Sequence, residues 1–332
     1  MSLFDPTAAF PRRELLLQMK RLRGLEEAIA ARYPEGQMRC PVHLSTGQEA
    51  VSAAVGLVLR PSDLAVSGHR AHIHYLGKGG SMPRMVAEIY GKATGCSRGK
   101  GGSMHLIDES VGFKGSTAIV GGTVPVGTGL GLSIKRRGTD QVACVFLGDA
   151  VVEEGVFFES VNFAVLHQLP VLYVCENNLF SVYSPLTVRQ PTGRAIHEMV
   201  AGLGIPAAAG DGNNPEAVYA ACREAVAGIR AGRGPVFLEF ATYRWREHCG
   251  PHFDNHIGYR SEEEFLAWKD RDPVVTYQRK LLDVAAVTEA DVAGMDQAVA
   301  DEVAAAFAFA ESSPFPPGCT AADDIYATGA MG

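Results

Sequence analysis

The chain carries the run Val142-Ala-Cys-Val-Phe-Leu-Gly-Asp149 and, one helix-length segment later, the run Val171-Leu-Tyr-Val-Cys-Glu-Asn-Asn178. Each run is apolar over the length of a buried strand and ends in polar residues. The segment between them, residues 153–167, repeats apolar side chains at helical spacing. The side chains predicted to face inward are Val156, Phe157, Val161, Ala164 and Val165. Strand, helix and strand in this order predict a βαβ unit, and therefore a mostly parallel sheet with helices on both faces.

The pattern extends from this unit toward both ends of the chain. A helix over 215–231 and a strand over 236–240 predict a further α/β unit, and residues 13–33 predict an amphipathic opening helix. Helices are also predicted near 261–269, 273–282 and 289–311. The Gly- and His-rich stretch from 67 to 131 is predicted to form long loops. We expect one α/β domain over residues 1–332, with the N-terminal helix 13–33 and a C-terminal helical tail over 261–332.

The composition argues against several classes of protein. The 332 residues are 47% apolar and 20% charged, with a formal net charge of -7, which argues against nucleic acid or an anionic membrane as the main partner. The longest apolar runs fall far short of the ~20 residues that a membrane span requires, and the first residues lack the pattern of a secretory signal. Seven scattered cysteines without a CxxC pair are typical of a reducing compartment. We therefore expect a cytoplasmic protein.

Polar residues follow both strands of the βαβ unit at the point where each strand ends. Gly148-Asp149 follows the first strand and Asn177-Asn178 the second, so parallel pairing brings them to the carboxyl edge where open α/β sheets bind ligands. A carboxylate and a carboxamide oxygen there suit a Mg²⁺ ion bound to a diphosphate, and Gly148 lets the backbone approach a phosphate beside a helix N-terminus. Taken singly, Gly-Asp is also a common N-cap and Asn-Asn a common turn.

Together the two pairs resemble the thiamine diphosphate binding motif, which runs Gly-Asp-Gly and, further along, Asn-Asn. The resemblance extends over about residues 13–329 through motifs that are specific in order and spacing. These motifs are Glu26-Glu27, Val42-His-Leu-Ser-Thr-Gly-Gln-Glu-Ala50, Arg70-Ala-His72, Gly99-Lys-Gly-Gly-Ser-Met-His105, Ile119-Val-Gly121, Cys175-Glu-Asn-Asn178, Thr242-Tyr-Arg244, His248, Ser313-Pro-Phe-Pro316 and Asp324-Ile-Tyr326. The chain is similar to the α subunit of the E1 component of 2-oxo acid dehydrogenases, which implies a thiamine diphosphate-binding fold.

The resemblance also implies roles for individual residues. The Mg²⁺ ligands would be Asp149, Asn178 and the main-chain oxygen of Phe180. The thiamine diphosphate site would consist of His69, Arg70, Ala118, Val120, Gly148, Asp149, Ala150, Val151, Asn178 and His248. Within it, Arg70 and His248 would bind the diphosphate, and the backbone of Val120 would support the pyrimidine ring. His72 and His248 would be the catalytic residues, since an unperturbed histidine pKa of about 6.5 suits proton transfer.

The same resemblance implies an activity that needs a second chain. In two-chain E1 enzymes of this family, the glutamate that activates the cofactor belongs to the β subunit. The chain is therefore expected to work as an α₂β₂ heterotetramer that decarboxylates a pyruvate-like 2-oxo acid and transfers the acyl unit to an acceptor, such as the lipoyl group of an acyltransferase. Two alternatives stay open. One is transfer of the two-carbon unit to an aldehyde or ketone, for example a sugar, in a tailoring pathway; the other is a non-catalytic E1 α-like protein.

Three departures from the family's pattern bear on these alternatives. Ala150 replaces the third glycine of the diphosphate motif, which would cost roughly 1 kcal/mol if the backbone had a positive φ there. His69 stands where the family often has Tyr. The loop 245–256 reads Trp-Arg-Glu-His-Cys-Gly-Pro-His-Phe-Asp-Asn-His, whereas the lipoate-using enzymes typically have Tyr-His-Gly-His-Ser-x-Ser-Asp. This difference motivates the alternative acceptor.

Other patterns favour interpretations that carry no further chemistry. His248, Cys249, His252 and His256 have the ligand types of a zinc site, but Gly250-Pro251 breaks any helix that would align them. Gly127-Thr-Gly-Leu-Gly131 differs from the GxGxxG dinucleotide fingerprint and is predicted to let a helix pack closely in an oligomer core. Ser261 is predicted to cap a helix with an acidic first turn.

Overall fold

The computed structural model describes residues 10–323, so the Asp324-Ile-Tyr326 motif and the end of the predicted tail lie outside the described residues. The strands are β1 (Leu64–Ser67), β2 (Phe113–Ser116), β3 (Ala143–Gly148), β4 (Val171–Asn177), β5 (Phe180–Ser181), β6 (Ser184–Pro185), β7 (Ala207–Asp211) and β8 (Val236–Ala241). Six of them form one sheet in the order β2-β1-β3-β4-β8-β7, with every neighbouring pair parallel, while β5 and β6 form a separate antiparallel pair. The predicted α/β class is confirmed.

Helices cover both faces of this sheet. They are α1 (Arg12–Arg32), α2 (Glu49–Val58), α3 (His72–Gly77), α4 (Met82–Ile89), α5 (Thr123–Arg137), α6 (Gly155–Leu166), α7 (Leu186–Arg189), α8 (Ile196–Ala201), α9 (Pro215–Arg230), α10 (Glu262–Lys269), α11 (Pro273–Asp283) and α12 (Glu289–Ser312). One apolar core contains side chains of α1, α2, α4, α9 and α12, and a second core, on the other face, contains side chains of α5, α6 and α8.

The predicted βαβ unit is present as β3, α6 and β4. The two strands pair in parallel from Ala143 opposite Val171 to Gly148 opposite Glu176. A 3-10 turn over Asp149–Glu153 follows β3, so α6 begins two residues later than predicted. Among the side chains predicted to face inward, Phe157, Val161 and Ala164 are buried, whereas Val156 and Val165 are half-buried. The turn places Asp149 directly at the carboxyl edge of the sheet.

The flanking helices also agree with the sequence. The opening helix is α1, within one residue of the prediction at each end, and its six apolar positions have no exposed surface: Leu15, Leu16, Met19, Leu22, Leu25 and Ile29. The three tail helices are α10, α11 and α12, each within one residue of its predicted bounds. The hydroxyl of Ser261 accepts a hydrogen bond from the amide of Glu264 at 3.0 Å, as expected of a cap.

The prediction of long loops from 67 to 131 is wrong for much of that stretch. It contains the helices α3, α4 and most of α5, together with the strand β2. Pro83 lies in the first turn of α4, where a missing amide costs nothing, and Ser81 caps that helix. The high glycine content misled the prediction because some of these glycines lie inside a helix and serve its packing.

Two glycines of α5 let that helix approach the sheet of its own chain. A Cβ on Gly127 would lie 2.2 Å from a methyl group of Val145, and one on Gly131 would lie 2.4 Å from a methyl group of Val171. Gly129, on the opposite side of α5, has nothing within 4 Å of such a Cβ. The close packing therefore involves the sheet, whereas the sequence had predicted an oligomer core. Because Gly127 to Gly131 lie inside a helix, they cannot form the strand-to-helix turn of a dinucleotide site.

Within residues 10–323 no helix is long and apolar enough to cross a membrane. All seven cysteines are present as free thiols, at positions 40, 96, 144, 175, 222, 249 and 319.

The packing of α5 predicts opposite effects for two glycine substitutions on one helix. Gly127→Ala should lower the free energy of unfolding by about 1–3 kcal/mol, because the added methyl group overlaps Val145. Gly129→Ala is the matched control and should leave the stability unchanged or raise it by about 0.5–1 kcal/mol, since alanine favours a helix. Urea unfolding of both full-length variants measures the difference. Equal effects at the two positions would contradict the packing described for α5.

Candidate active site

The cavity with the predicted site residues lies where the strand order reverses. β1 has β2 on one side and β3 on the other, and ligands of open α/β sheets bind at the carboxyl ends of strands at such a point. A cavity of about 270 Å³ opens there, lined by residues that follow β1, β3 and β4. The lining includes every predicted cofactor and metal residue: His69, Arg70, Ala118, Val120, Gly148, Asp149, Ala150, Val151, Asn178, Phe180 and His248.

Arg70 and three histidines form one wall of this cavity. Arg70 is 8% exposed, and its guanidinium donates hydrogen bonds to the main-chain oxygens of Leu44 at 2.5 Å and His248 at 3.2 Å. The rings of His43, His69 and His248 pack edge to face, with centroids 4.7 to 5.2 Å apart. His43 is not among the residues predicted for the site, although its place inside the Val42–Ala50 motif was an available signal.

These three imidazoles are neutral at pH 7. Burial, and then the nearby charge of Arg70, lower the pKa of His43 to about 2, of His69 to about 4 and of His248 to about 3. Burial also lowers the pKa of Arg70 to about 9, which leaves it charged. The side-chain ligand atoms of the three histidines lie within 4.8 Å of one another, a spacing that invites a metal. The adjacent guanidinium disfavours a second cation, so we interpret this wall as a site for an anion.

The opposite wall supplies oxygen atoms. Asp149, 2% exposed, stands at the end of β3, and its carboxylate pairs with the guanidinium of Arg189. Burial raises the pKa of Asp149, and Arg189 opposes that shift. The amide of Asn178 donates to the side-chain oxygen of Gln48 at 3.1 Å, and its own oxygen accepts from the amide of Phe180 at 3.3 Å. This wall combines a carboxylate, a carboxamide and main-chain carbonyls, which are the ligand types of Mg²⁺.

The second asparagine of the Asn-Asn pair has a different role. Asn177 turns away from the cavity and donates to the carboxylate of Glu239 at 2.7 Å. Its oxygen accepts a hydrogen bond from the amide of Leu179 at 3.1 Å. Leu179 has a φ of 71°, a left-handed conformation that is uncommon outside glycine. Asn177 therefore stabilises the turn that presents Asn178 to the cavity.

Ala150 carries no strain in this backbone. It lies in the 3-10 turn that follows β3 and is not among the residues with a positive φ. A methyl group at this position therefore avoids the conformational cost that the sequence analysis attached to a left-handed backbone. Ala150 lines the cavity beside Asp149 and leaves the diphosphate motif intact in shape.

His72 is not part of the cavity lining. Its side chain has no exposed surface, one ring nitrogen lies 2.8 Å from the hydroxyl of Ser103, and the other lies 3.4 Å from a carboxylate oxygen of Glu26. Glu26 in turn accepts a hydrogen bond from the amide of Ser45 at 2.7 Å. His72 therefore lies between Glu26 of α1 and Ser103, and none of its atoms line the cavity.

His74, which the sequence placed with His69 and His72 as a candidate for phosphate and substrate contacts, instead forms hydrogen bonds to side chains of this chain. One ring nitrogen of His74 lies 2.7 Å from the hydroxyl of Ser67, and the other lies 3.0 Å from a carboxylate oxygen of Glu176. The ring stacks on Phe146 with a centroid distance of 4.1 Å. Glu176 belongs to the quoted Cys175–Asn178 motif, but only the pairing of β1, β3 and β4 shows that these side chains meet.

Several lining atoms have unused hydrogen-bonding capacity. Within the described chain, Nδ1 of His43, Nε2 of Gln48 and Oε1 of Glu176 are buried without a hydrogen-bond partner. Such atoms are costly unless a ligand or water satisfies them. A Cβ built on Gly148 meets nothing within 4 Å, which leaves room for a phosphate beside the backbone. The residues present therefore fit a diphosphate with a divalent cation.

The four residues with the ligand types of a zinc site, which the sequence already disfavoured as a site, do not converge. Among residues 10–323, His248 meets His43 and His69, whereas Cys249, His252 and His256 do not join it in one cluster. Their loop is fixed to the rest of the chain through Arg246, which pairs with Glu27, and through Arg260, which donates to Asp254 at 2.5 Å and to the main chain of Trp245 at 2.7 Å.

Comparison with known proteins agrees with this geometry. The family described as "Dehydrogenase E1 component" matches residues 17–319. A protein named "Pyruvate dehydrogenase E1 component subunit alpha" from Rickettsia felis is 38% identical over 295 residues, which cover 89% of each chain. The protein of that name from Rhizobium meliloti is 37% identical over 305 residues, which cover 92% of this chain and 85% of the relative. The chloroplastic alpha-3 subunit from Arabidopsis thaliana is 34% identical over 311 residues, 92% of this chain and 72% of that protein. The chain therefore belongs to the dehydrogenase E1 component family.

Proposed function

We propose that the chain is the α subunit of a thiamine diphosphate- and Mg²⁺-dependent E1 enzyme that decarboxylates a pyruvate-like 2-oxo acid and passes the acyl unit to a lipoyl group. The observation that carries this proposal is the meeting of a cationic wall and an oxygen-rich wall in one cavity at the carboxyl edge of the sheet. The relatives named as pyruvate dehydrogenase α subunits support the choice of substrate.

The two walls would hold opposite parts of a metal-bound diphosphate. Asp149, Asn178 and the main-chain oxygen of Phe180 would bind Mg²⁺, which completes its octahedron with phosphate oxygens and water. Arg70 would bind the phosphates as a fixed cation, and the neutral rings of His69 and His248 would donate N–H groups to them. The charge of the ligand is thereby matched at both ends, which supports a metal-diphosphate over either ion alone.

The remaining lining would position the organic part of the cofactor. When bound, thiamine diphosphate supplies the carbanion chemistry of decarboxylation. Ala118 and Val120 line the cavity on the side of α5, and Val120 is 43% exposed. Its main chain would support the pyrimidine ring, and the apolar side chains around it would exclude water from that ring. The buried His72 would act through Ser103 and Glu26 as a positioning residue.

The segments that frame the cavity support a partner chain. Apolar side chains that flank its lining are exposed: Ile119 by 69%, Val126 by 52%, Tyr183 by 49% and Val188 by 73%. Exposed apolar surface next to a ligand site is typical of an interface. We propose that a β subunit covers this surface in an α₂β₂ heterotetramer and completes the active site. A lipoyl acyltransferase would then collect the acyl unit at the cavity mouth.

Cofactor binding tests the proposal directly. The chain, co-purified with its β subunit, should bind thiamine diphosphate in a Mg²⁺-dependent manner in a calorimetric titration. Asp149→Asn should weaken that binding by more than about 100-fold, because a metal ligand matters more than the outer-shell residues that typically contribute 10- to 100-fold. The matched control is Asp140→Asn. Asp140 is an exposed carboxylate that precedes the start of β3, at the end of the strand away from the cavity, so this variant should bind the cofactor as tightly as wild type. Absence of cofactor binding by the wild-type complex would overturn the proposal.

The neutral histidines predict a loss of stability in acid. Because the pKa of His69 is about 4 in the folded chain and about 6.5 when unfolded, the unfolded state takes up the proton first as the pH falls. The free energy of unfolding should therefore decrease between pH 6.5 and pH 4. His69→Tyr should reduce that decrease by about 1–3 kcal/mol, while His105→Gln at an exposed position should not. Urea unfolding at several pH values measures the free energy of unfolding of each variant. An identical dependence on pH for wild type and His69→Tyr would refute the lowered pKa of His69.

A carbonyl compound is a second candidate acceptor, favoured by the loop 245–256. This loop lacks the serines of the lipoate-using pattern, and it is fixed to the chain's own surface through Glu27, Asp254 and the main chain of Val42. The intact complex would be supplied with pyruvate and either a lipoyl domain or a panel of aldehydes and ketones. Acylation of the lipoyl domain alone would exclude the second candidate, and acyloin products alone would replace the first acceptor with it.

A further inference from the structure

The metal-binding carboxylate of the proposed site already holds a cation of this chain. Arg189, the last residue of α7, pairs through one guanidinium nitrogen with the carboxylate of Asp149. Its other terminal nitrogen lies 2.5 Å from a carboxylate oxygen of Glu153, and Nε donates to the main-chain oxygen of Ser184 at 3.1 Å. One guanidinium therefore bridges both ends of the 3-10 turn that follows β3.

This ion pair is shielded from water. The side chain of Arg189 is 10% exposed, and that of Asp149 is 2% exposed. A carboxylate this deeply buried needs a positive partner if it is to stay ionised. Within residues 10–323 Arg189 meets this need, and it binds an oxygen of the carboxylate that is the proposed Mg²⁺ ligand.

The segment that carries Arg189 is firmly anchored where it begins, because Phe180 packs in a buried cluster with Tyr243 and Trp245, and it is weakly anchored only along α7. It leaves the cavity at Asn178, forms the short β5–β6 hairpin, and has residues in left-handed conformations at Leu179 and Val182. No side chain of α7 is buried, and Leu186 is held to Leu179 by a main-chain hydrogen bond of 2.7 Å. A segment with few buried contacts can move at low cost. Helix α7 can therefore shift while the buried Phe180, a proposed metal ligand, stays in place.

We propose that Arg189 is an internal counter-cation that occupies the carboxylate of Asp149 while the metal is absent and must leave it before Mg²⁺ can bind. The proposal rests on the function proposed above and adds a regulatory step to the same site. A guanidinium and a divalent cation repel each other at contact distance, so Arg189 in this position opposes binding of Mg²⁺ to the same carboxylate. The binding-competent state is then only a fraction of the metal-free protein, and the apparent affinity for Mg²⁺ is reduced by that fraction.

Substitution of Arg189 tests whether this side chain competes with Mg²⁺ for Asp149. With the full chain in its complex and thiamine diphosphate at a fixed saturating concentration, Arg189→Gln should bind Mg²⁺ about tenfold more tightly in a calorimetric titration, since it removes the competitor. The same variant should melt at a lower temperature than wild type when Mg²⁺ and cofactor are absent, because Asp149 loses its counter-charge. The matched control is Arg194→Gln, an exposed arginine five residues further along, which should change neither quantity.

The results distinguish a failure of the inference about Arg189 from a failure of the proposed function. If wild type binds Mg²⁺ and Arg189→Gln binds it equally or more weakly, Arg189 does not compete with the metal and the inference is wrong. If no variant and no wild-type sample binds Mg²⁺, the proposed function fails and the inference falls with it.

A double-mutant cycle of Asp149→Asn and Arg189→Gln on the metal-free protein tests the ion pair without any cofactor. The effects of the two substitutions on the melting temperature should be strongly non-additive. Additive effects would show that the pair contributes nothing in solution and would overturn the inference even if the complex binds its cofactor.

Discussion

The parallel pairing of β1, β3 and β4 is the constraint on which the rest of the site depends. Because the three strands run in one direction, the segments that follow them leave the sheet at one edge: Gly68 to Arg70, Asp149 to Val151, and Asn178 to Phe180. These segments are far apart in sequence. The reversal of strand order between β1 and β3 opens a crevice between them, because the connecting chain leaves in opposite directions on the two sides. The glycines of α5 bring that helix close to β3 and so frame the crevice.

The cavity separates its charges. Arg70 and three neutral imidazoles occupy one wall, while Asp149 and the amide oxygens occupy the other. Burial disfavours the charged form of the groups on both walls, so it lowers the pKa of the histidines and raises the pKa of Asp149. A ligand that presents an anion to the first wall and a cation to the second satisfies both. This is why a metal-bound diphosphate fits the described residues better than a zinc ion or a free anion.

Two loops at the cavity differ in how firmly the chain holds them. The loop 245–256 is held by buried ion pairs, with Trp245 packed beneath Arg23 and Lys269 at 4.2 Å from each cation. Helix α7 has no buried side chain, and its Arg189 pairs with Asp149. The firmly held loop carries His248 and therefore fixes the wall that contains Arg70. The weakly held helix α7 carries Arg189, so the ion pair at Asp149 is the contact that can respond to a ligand.

The sequence by itself determined the α/β class, the βαβ unit, the amphipathic helices α1, α10, α11 and α12, and the candidate residues that now line one cavity. The fold elements and the pair Asp149 and Asn178 depend on local periodicity and on the ends of strands, which neighbouring residues encode. The other candidate residues came from the resemblance of ordered motifs to a known family. It did not reveal β7, whose Ala-Ala-Ala-Gly-Asp run lacks the β-branched residues typical of strands, or the helices hidden in the glycine-rich stretch. Only the tertiary structure decided that His43 joins His69 and His248, that His72 faces Glu26 and Ser103 instead of the cavity, and that Arg189 holds Asp149. Each of these contacts joins segments that are separate in the chain, and no local pattern encodes the distance between them.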